Sequence, residues 1–176
     1  MTPGLRKLAL TTHVTCSVGW LGAVAAFLAL AVAGLATRDA ALVRATSLAM
    51  GVMGWYVILP LSVASLLSGL LQSLGSAWGL VRHYWVVAKL LINLTATGVL
   101  LMYTRTLDYL SARAADPAVT EAELLSTRDP SPVLHSGVAL VLLVLATVLA
   151  VYKPRGLTRY GRRRLPSRRT STSPAV

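Results

Sequence analysis

The chain has 176 residues, of which 55% are hydrophobic and 13% are charged, and its mean hydropathy is +0.66. This composition excludes an ordinary soluble domain, in which about 25% of the residues are charged. The 17 Lys and Arg residues outnumber the 6 Asp and Glu residues, which gives a net charge of +11. The single cysteine, Cys16, excludes an internal disulfide and a metal site with several thiolate ligands.

Four apolar segments are each long enough to cross a bilayer core of roughly 30 Å, which requires about 20 residues in a helix. They cover residues 8–36, 45–74, 84–103 and 133–152. None of them alternates polar and apolar residues as a membrane β-strand does, so we predict an all-α fold. Residues 1–152 are expected to form a polytopic four-helix up-down bundle, and residues 153–176 have the basic, Ser/Thr/Pro-rich composition of a disordered tail.

The distribution of charge predicts the orientation of the bundle. Arg6 and Lys7 precede the first segment, and Arg82 lies between the second and third segments. The tail continues this pattern with Lys153 and a cluster of arginines that includes Arg155, Arg159, Arg162, Arg163 and Arg164. The positive-inside rule therefore places both termini in the cytoplasm of a multi-pass inner (plasma) membrane protein. We interpret the cluster as a topology signal that also contacts anionic lipid. No aromatic platform of the kind that stacks on bases accompanies it, so nucleic acid is not an expected partner.

The loops between the first and second segments and between the third and fourth segments hold every acidic residue. The longer of them, residues 104–132, also contains sequence signals for local structure. The Asp116-Pro117 step predicts that the third helix runs past the membrane and stops there. Thr120 and Glu123 have the spacing of a capping box, which predicts a short helical turn. The Asp-Pro-Ser-Pro sequence at 129–132 then opens the fourth segment.

Polar residues inside the apolar segments are the candidates for function. Lys89, Asn93 and Thr97 follow one another at four-residue steps, so they share one face of the third helix, which should point into the bundle. One interpretation makes Lys89 the anchor of an anionic ligand or a proton-linked site. The alternative is a lysine that extends to the interface, with two residues that hydrogen-bond between helices.

The second segment adds small and polar residues, which are interpreted first as packing residues: Ser62, Ser65, Ser68, Gly69 and Gln72. Pro60 removes one backbone donor and predicts a kink. Together, the first three helices are predicted to enclose a polar core around His13, Ser65 and Lys89.

The three histidines raise the question of a cofactor. His13 and His83 lie toward the same side of the membrane, and parallel helices on a bundle diagonal suit two axial haem ligands. Their predicted depths differ by roughly 7 Å at 1.5 Å per residue, which weakens a haem b site. His13 and Cys16 have the i, i+3 spacing that could hold copper as Cu(I). His135 is expected near the headgroups at the start of the fourth helix, and the default expectation is that no cofactor binds.

Several short motifs occur in a recognisable order. They are His13, Gly19-Trp20 and Gly22 in the first segment, Ser68–Leu71 in the second, Trp78, Arg82–Trp85, and Ala88–Leu91 in the third. In this order the chain resembles the copper-resistance protein D-like group and related small four-helix membrane proteins, over roughly residues 10–152. The resemblance implies a compact four-helix module, sometimes linked with copper handling, in which His13 matches the first-segment histidine and Lys89 the third-segment lysine.

These observations predict a non-enzymatic membrane module that handles a small ligand or a metal, or acts as an accessory component. The first alternative is a haem-binding redox protein that uses His13 and His83. The second is a structural or assembly subunit of a larger membrane complex. For partners, we expect the lipid bilayer and either a homo-oligomer or a larger membrane complex.

Overall fold

The computed structural model describes residues 2–75, 83–126, 128–154, 156 and 158. The protein is all-α, which confirms the predicted fold class. The helices are α1 (Pro3–Ala36), α2 (Ala40–Met53), α3 (Leu59–Gly75), α4 (Tyr84–Ala115), α5 (Glu121–Ser126) and α6 (Ser131–Tyr152). Four stretches are long and apolar enough to cross a membrane: α1, α2 continued through α3, α4, and α6. The tail arginines from Arg155 onward, together with Trp78 and Arg82, lie outside the described residues.

Local sequence signals set the ends of several helices. Asp39 caps α2 by accepting a hydrogen bond of 2.9 Å from the Ala41 amide. α4 continues past its apolar segment and ends at Ala115, immediately before Asp116 and Pro117, as the sequence predicts. A proline disfavours the helical conformation of the residue before it, and this explains the position of the stop.

The predicted capping box at α5 is confirmed. The Glu123 carboxylate accepts hydrogen bonds of 2.9 Å from both the backbone amide and the hydroxyl of Thr120. The Thr120 hydroxyl in turn accepts from the Glu123 amide at 3.4 Å. These donors favour the ionised form and lower the pKa of Glu123 below its ordinary value. The reciprocal bonds therefore hold α5 in the loop between α4 and α6.

The second membrane-spanning stretch is interrupted by a π-helical turn at Gly54–Ile58, between α2 and α3. The Leu59 amide donates to the Gly54 carbonyl, five residues back, immediately before Pro60. Because Pro60 has no amide hydrogen, the Tyr56 carbonyl lacks its normal helical partner, and the proline ring would crowd that carbonyl in a regular α-helix. The wider turn accommodates the ring, so the irregularity predicted at Pro60 takes the form of a π turn.

The four membrane-spanning stretches form one ring. α1 packs against α2–α3 and against α6, and α4 packs against the same two, so α1 and α4 lie on opposite sides of the bundle. Successive stretches run in opposite directions, which is the predicted up-down arrangement. One end of the bundle carries Arg6, Lys7 and Lys153 and is called the basic end. The other carries all six acidic residues of the sequence and is called the acidic end.

Glycines allow close approach of the helices toward the acidic end. A Cβ atom on Gly34 of α1 would lie 2.6 Å from Thr46 Oγ1 of α2, and one on Gly51 of α2 would lie 2.8 Å from Ser111 Cβ of α4. A Cβ on Gly54 would overlap Leu107 Cδ1 of α4. This half of the bundle is therefore tightly packed by small residues, as is common where helices associate in lipid.

Candidate functional site

A cavity of about 740 Å³ lies between α1, α3, α4 and α6, in the half of the bundle nearer the basic end. We call it the lumen. Its wall includes Arg6, His13, Ser17 and Trp20 of α1, Ser65, Gly69 and Gln72 of α3, Lys89 and Asn93 of α4, and Leu143 and Thr147 of α6, with Lys153 just after α6. The lumen therefore brings together polar and charged side chains from several helices.

Ser65 connects three helices at the wall of the lumen. Its side chain is 1% exposed, and its hydroxyl lies 2.8 Å from the Ser17 hydroxyl of α1. On the other side, Asn93 of α4 donates to the same Ser65 oxygen at 3.4 Å. Thr97, one turn further along α4, donates to the Asn93 side-chain carbonyl at 3.5 Å. These contacts fix α1, α3 and α4 around the lumen at one level.

His13 is held against α3 through one ring nitrogen. Its Nδ1 lies 3.1 Å from both the Ser65 carbonyl oxygen and the Ser68 hydroxyl oxygen. A carbonyl oxygen only accepts hydrogen bonds, so Nδ1 carries the hydrogen and Nε2 is the acceptor nitrogen of the neutral ring. Gly69 makes room for the imidazole, since a Cβ there would lie 2.9 Å from His13 Cε1. The wall thus fixes the orientation of His13.

Lys89 is the half-buried cation of the lumen. It lies five residues into α4, or about 7.5 Å from the start of the helix. Its Nζ is 5.2 Å from the centre of the Trp85 ring, which is within the range of a cation–π contact. All six Asp and Glu residues lie at the acidic end, so among the described residues no carboxylate lies at the level of Lys89.

Three more residues of the lumen wall, Gln72, Arg6 and Lys153, were not predicted as site residues from the sequence. Gln72 lines the lumen, and its Nε2 is buried with no hydrogen-bond partner among the described residues. The sequence pattern predicts a packing role for Gln72. Arg6 and Lys153 line the lumen as well, although their sequence context indicated only membrane topology. The position of these two residues at the lumen depends on how α1 packs against α6, which no local sequence pattern predicts.

The structure brings together some of the predicted site residues and not others. His13, Ser65, Lys89 and Asn93 all line the lumen, and Thr97 is buried beside them. Cys16 is half-buried in α1, but the lumen wall does not include it. The other cofactor candidate, His83, immediately precedes α4 and also lies outside the lumen wall.

His135 lies at the other end of the molecule. It stacks on Tyr103 with 4.2 Å between ring centres, and its Nδ1 donates to the Ser131 carbonyl at 2.9 Å. Of the three histidines, only His13 therefore lines the lumen. The described residues do not place three or more His, Cys, Asp or Glu side chains close enough together to hold a metal ion.

Comparison with known proteins gives no relative from which a role could be transferred. No family model, no curated protein and no solved structure matches this chain.

Replacement of Ser65 by Ala tests the hydrogen-bonded wall. We expect the free energy of unfolding to fall by about 1 kcal/mol, because Ser17 and Asn93 lose their common partner while interhelical hydrogen bonds in membranes contribute only modestly. Reversible unfolding in mixed micelles measures the change. Ser73→Ala, on the same helix, removes a hydroxyl that has no hydrogen bond among the described residues and should be neutral. An equal loss in both variants would contradict the role assigned to Ser65.

Proposed function

We propose that the protein is a non-enzymatic membrane module that holds a small ligand in its lumen. The observation that carries this proposal is the position of Lys89, a half-buried cation that lines a cavity of about 740 Å³ and has no carboxylate of the described residues at its level. A lysine inside a membrane segment is costly, by roughly 2.5–3.5 kcal/mol when fully central. A bound anion is a direct means of offsetting such a charge.

The shape and lining of the lumen support a binding role. Ligand cavities typically measure about 300–1,000 Å³ and combine apolar walls with a few placed polar groups. Here the polar groups include the oriented imidazole of His13, the amide of Asn93 and the hydroxyl of Ser17. The hydrogen bonds at Ser65 hold the three helices that carry these groups.

We further propose that the basic end faces the cytoplasm of an inner (plasma) membrane, since basic residues flank the membrane-spanning helices there. In this orientation the lumen opens toward the cytoplasmic leaflet, and the arginines from Arg155 to Arg164 meet anionic lipid. Kinship with the copper-resistance D-like group stays a prediction. The single histidine of the lumen favours an organic or inorganic anion over a metal ion as its ligand.

Replacement of Lys89 by Leu tests the proposal. Native mass spectrometry of protein released from its membrane should detect a small-molecule adduct on the natural protein and little or none on Lys89→Leu. The variant should still accumulate and fold, because it replaces a costly intramembrane charge with an apolar side chain. Lys7→Leu is the matched control, since Lys7 is exposed at the basic end and is not part of the lumen wall, and it should keep the adduct.

Two results would contradict this proposal. One is the absence of any adduct from the natural protein, and the other is an adduct of equal occupancy on Lys89→Leu. In either case Lys89 would serve only to anchor α4 at the membrane interface.

The redox alternative has a separate measurement. A visible spectrum of protein purified after growth with a haem precursor should contain no Soret band, because His13 alone faces the lumen. A Soret band lost in both His13→Ala and His83→Ala would favour the haem-binding hypothesis instead. The hypothesis of a structural subunit in a larger complex also stays a prediction. Such a subunit should keep its function in the Lys89→Leu variant.

A further inference from the structure

Charge and apolar surface are separated along the axis of the lumen. Arg6, Lys89 and Lys153 line it toward the basic end, and we call these three residues the mouth. Trp20, Leu21 and Leu143 line it at the opposite extreme, and we call these the floor. Lys153 follows Leu143 by ten residues, so mouth and floor are about 15 Å apart at 1.5 Å per residue.

The mouth is cationic, and within the described part of the chain no acidic side chain neutralises it. All six carboxylates of the sequence belong to the acidic end, whereas Arg6 and Lys153 are exposed and Lys89 is half-buried. Three cations at one opening, where the membrane partly excludes water, favour an anionic group over a neutral or cationic one. His13 and Gln72 lie next to this opening and offer polar atoms.

The floor has the opposite character. Its side chains are all apolar, and the hydroxyl and amide groups above them already bond to one another through Ser65. Water in this part of the lumen would find few free partners, so an apolar occupant is favoured there.

From this separation we infer that the lumen takes a single-chain anionic amphiphile, with a phosphate or carboxylate head at the mouth and a hydrocarbon tail on the floor. The inference rests on the proposed function and names the chemical class of its ligand. A single chain fits because the lumen has the volume of a site for a drug-sized molecule and is bounded by four helices. A two-chain phospholipid is too large to enter it completely.

Binding of dodecyl phosphate to protein in nanodiscs of zwitterionic lipid tests the inference. Trp20 and Trp85 both line the lumen, so their fluorescence reports occupancy. We expect saturable binding of dodecyl phosphate and an increase in the unfolding temperature. Dodecyltrimethylammonium has the same chain with a cationic head, and inorganic phosphate has the head without the chain; neither should bind. Phosphatidic acid added to the nanodiscs should not compete, which distinguishes a free amphiphile from a bilayer lipid.

Two variants separate the head from the tail. Lys89→Gln should weaken dodecyl phosphate binding by about tenfold or more, whereas Lys7→Gln should not change it. Ala146→Phe places a ring in the lumen wall of α6 and should block the tail without any change of charge. Its control is Val148→Phe, on a 43% exposed position of the same helix, which should bind normally.

The outcomes separate this inference from the proposed function. Equal binding of the cationic amphiphile, or binding unaffected by both Lys89→Gln and Ala146→Phe, would overturn the inference. An adduct in native mass spectrometry that dodecyl phosphate fails to displace would overturn the inference and leave the proposed function standing. The absence of both adduct and dodecyl phosphate binding would overturn the two together.

Discussion

Replacement of Leu107 by Ala is expected to lower the free energy of unfolding by about 2 kcal/mol. Leu107 of α4 is 1% exposed and contacts the π turn at Gly54, where the second membrane-spanning stretch meets α4. Leu→Ala replacements in cores cost about 2–5 kcal/mol, of which one part is transfer from water and the other is the cavity left behind. Because lipid is as apolar as leucine, the transfer contribution is small here and mainly the contribution of the cavity remains. We therefore expect a loss at the lower end of that range.

The same contact can be tested from its other side. Gly54→Ala should also destabilise the protein, because the added methyl group overlaps Leu107 and the buried leucine has little room to move. In the double variant Gly54→Ala, Leu107→Ala the new methyl group occupies part of the space that the leucine leaves. The double variant should therefore lose less stability than the sum of the two single variants.

Two exposed positions on α4 provide matched controls. Leu101 is 51% exposed, so Leu101→Ala should have little effect on unfolding. A Cβ on Gly98 would meet no atom within 4 Å, so Gly98→Ala should be neutral or stabilising through its higher helix propensity. Strict additivity of Gly54→Ala and Leu107→Ala would contradict the close packing described for the π turn.

Replacement of Arg44 by Met should cost about 2–3 kcal/mol. The Arg44 guanidinium of α2 donates to the carbonyl oxygens of Ala114, Asp116 and Val119, at the end of α4 and in the loop that follows. The last carbonyls of a helix lack partners within the helix, and a cation there also interacts favourably with the helix dipole. Methionine keeps the apolar stem of the side chain and removes all three hydrogen bonds, each of which involves a charged donor.

Reversible unfolding in micelles measures this effect against Arg38→Met. Arg38 is an exposed arginine at the same end of the bundle, so its replacement should change stability by less than about 0.5 kcal/mol. Hydrogen exchange gives a second readout, since the backbone amides of residues 112–120 should lose protection in Arg44→Met. Similar losses in the two variants would show that Arg44 does not hold the end of α4.

The sequence predicts the fold well because the membrane restricts the possibilities. Backbone groups in lipid must be paired within the helix, so length and apolar content suffice to locate four spanning stretches. Capping signals such as Thr120 with Glu123 act over three residues and need no tertiary information. The end of α4 before Pro117 is equally local.

The candidate site was predictable only in part. The four-residue spacing of Lys89, Asn93 and Thr97 predicts a shared face, and the structure points that face into the bundle. The recruitment of Arg6 and Lys153 to the same cavity depends on how α1 packs against α6, which no local pattern encodes. The space for the His13 ring depends likewise on Gly69 of another helix. Composition alone cannot distinguish a lumen from a filled core.

The most direct test of the ligand-filled lumen is an anomalous-scattering map from crystals grown with dodecanoic acid that carries bromine on its terminal carbon. We predict a bromine peak at the floor of the lumen, beside Trp20 and Leu143, and density for the carboxylate near Lys89 Nζ at the mouth. Bromine found only on the lipid-facing surface of the helices, with side chains filling the space between α1 and α4, would contradict the account.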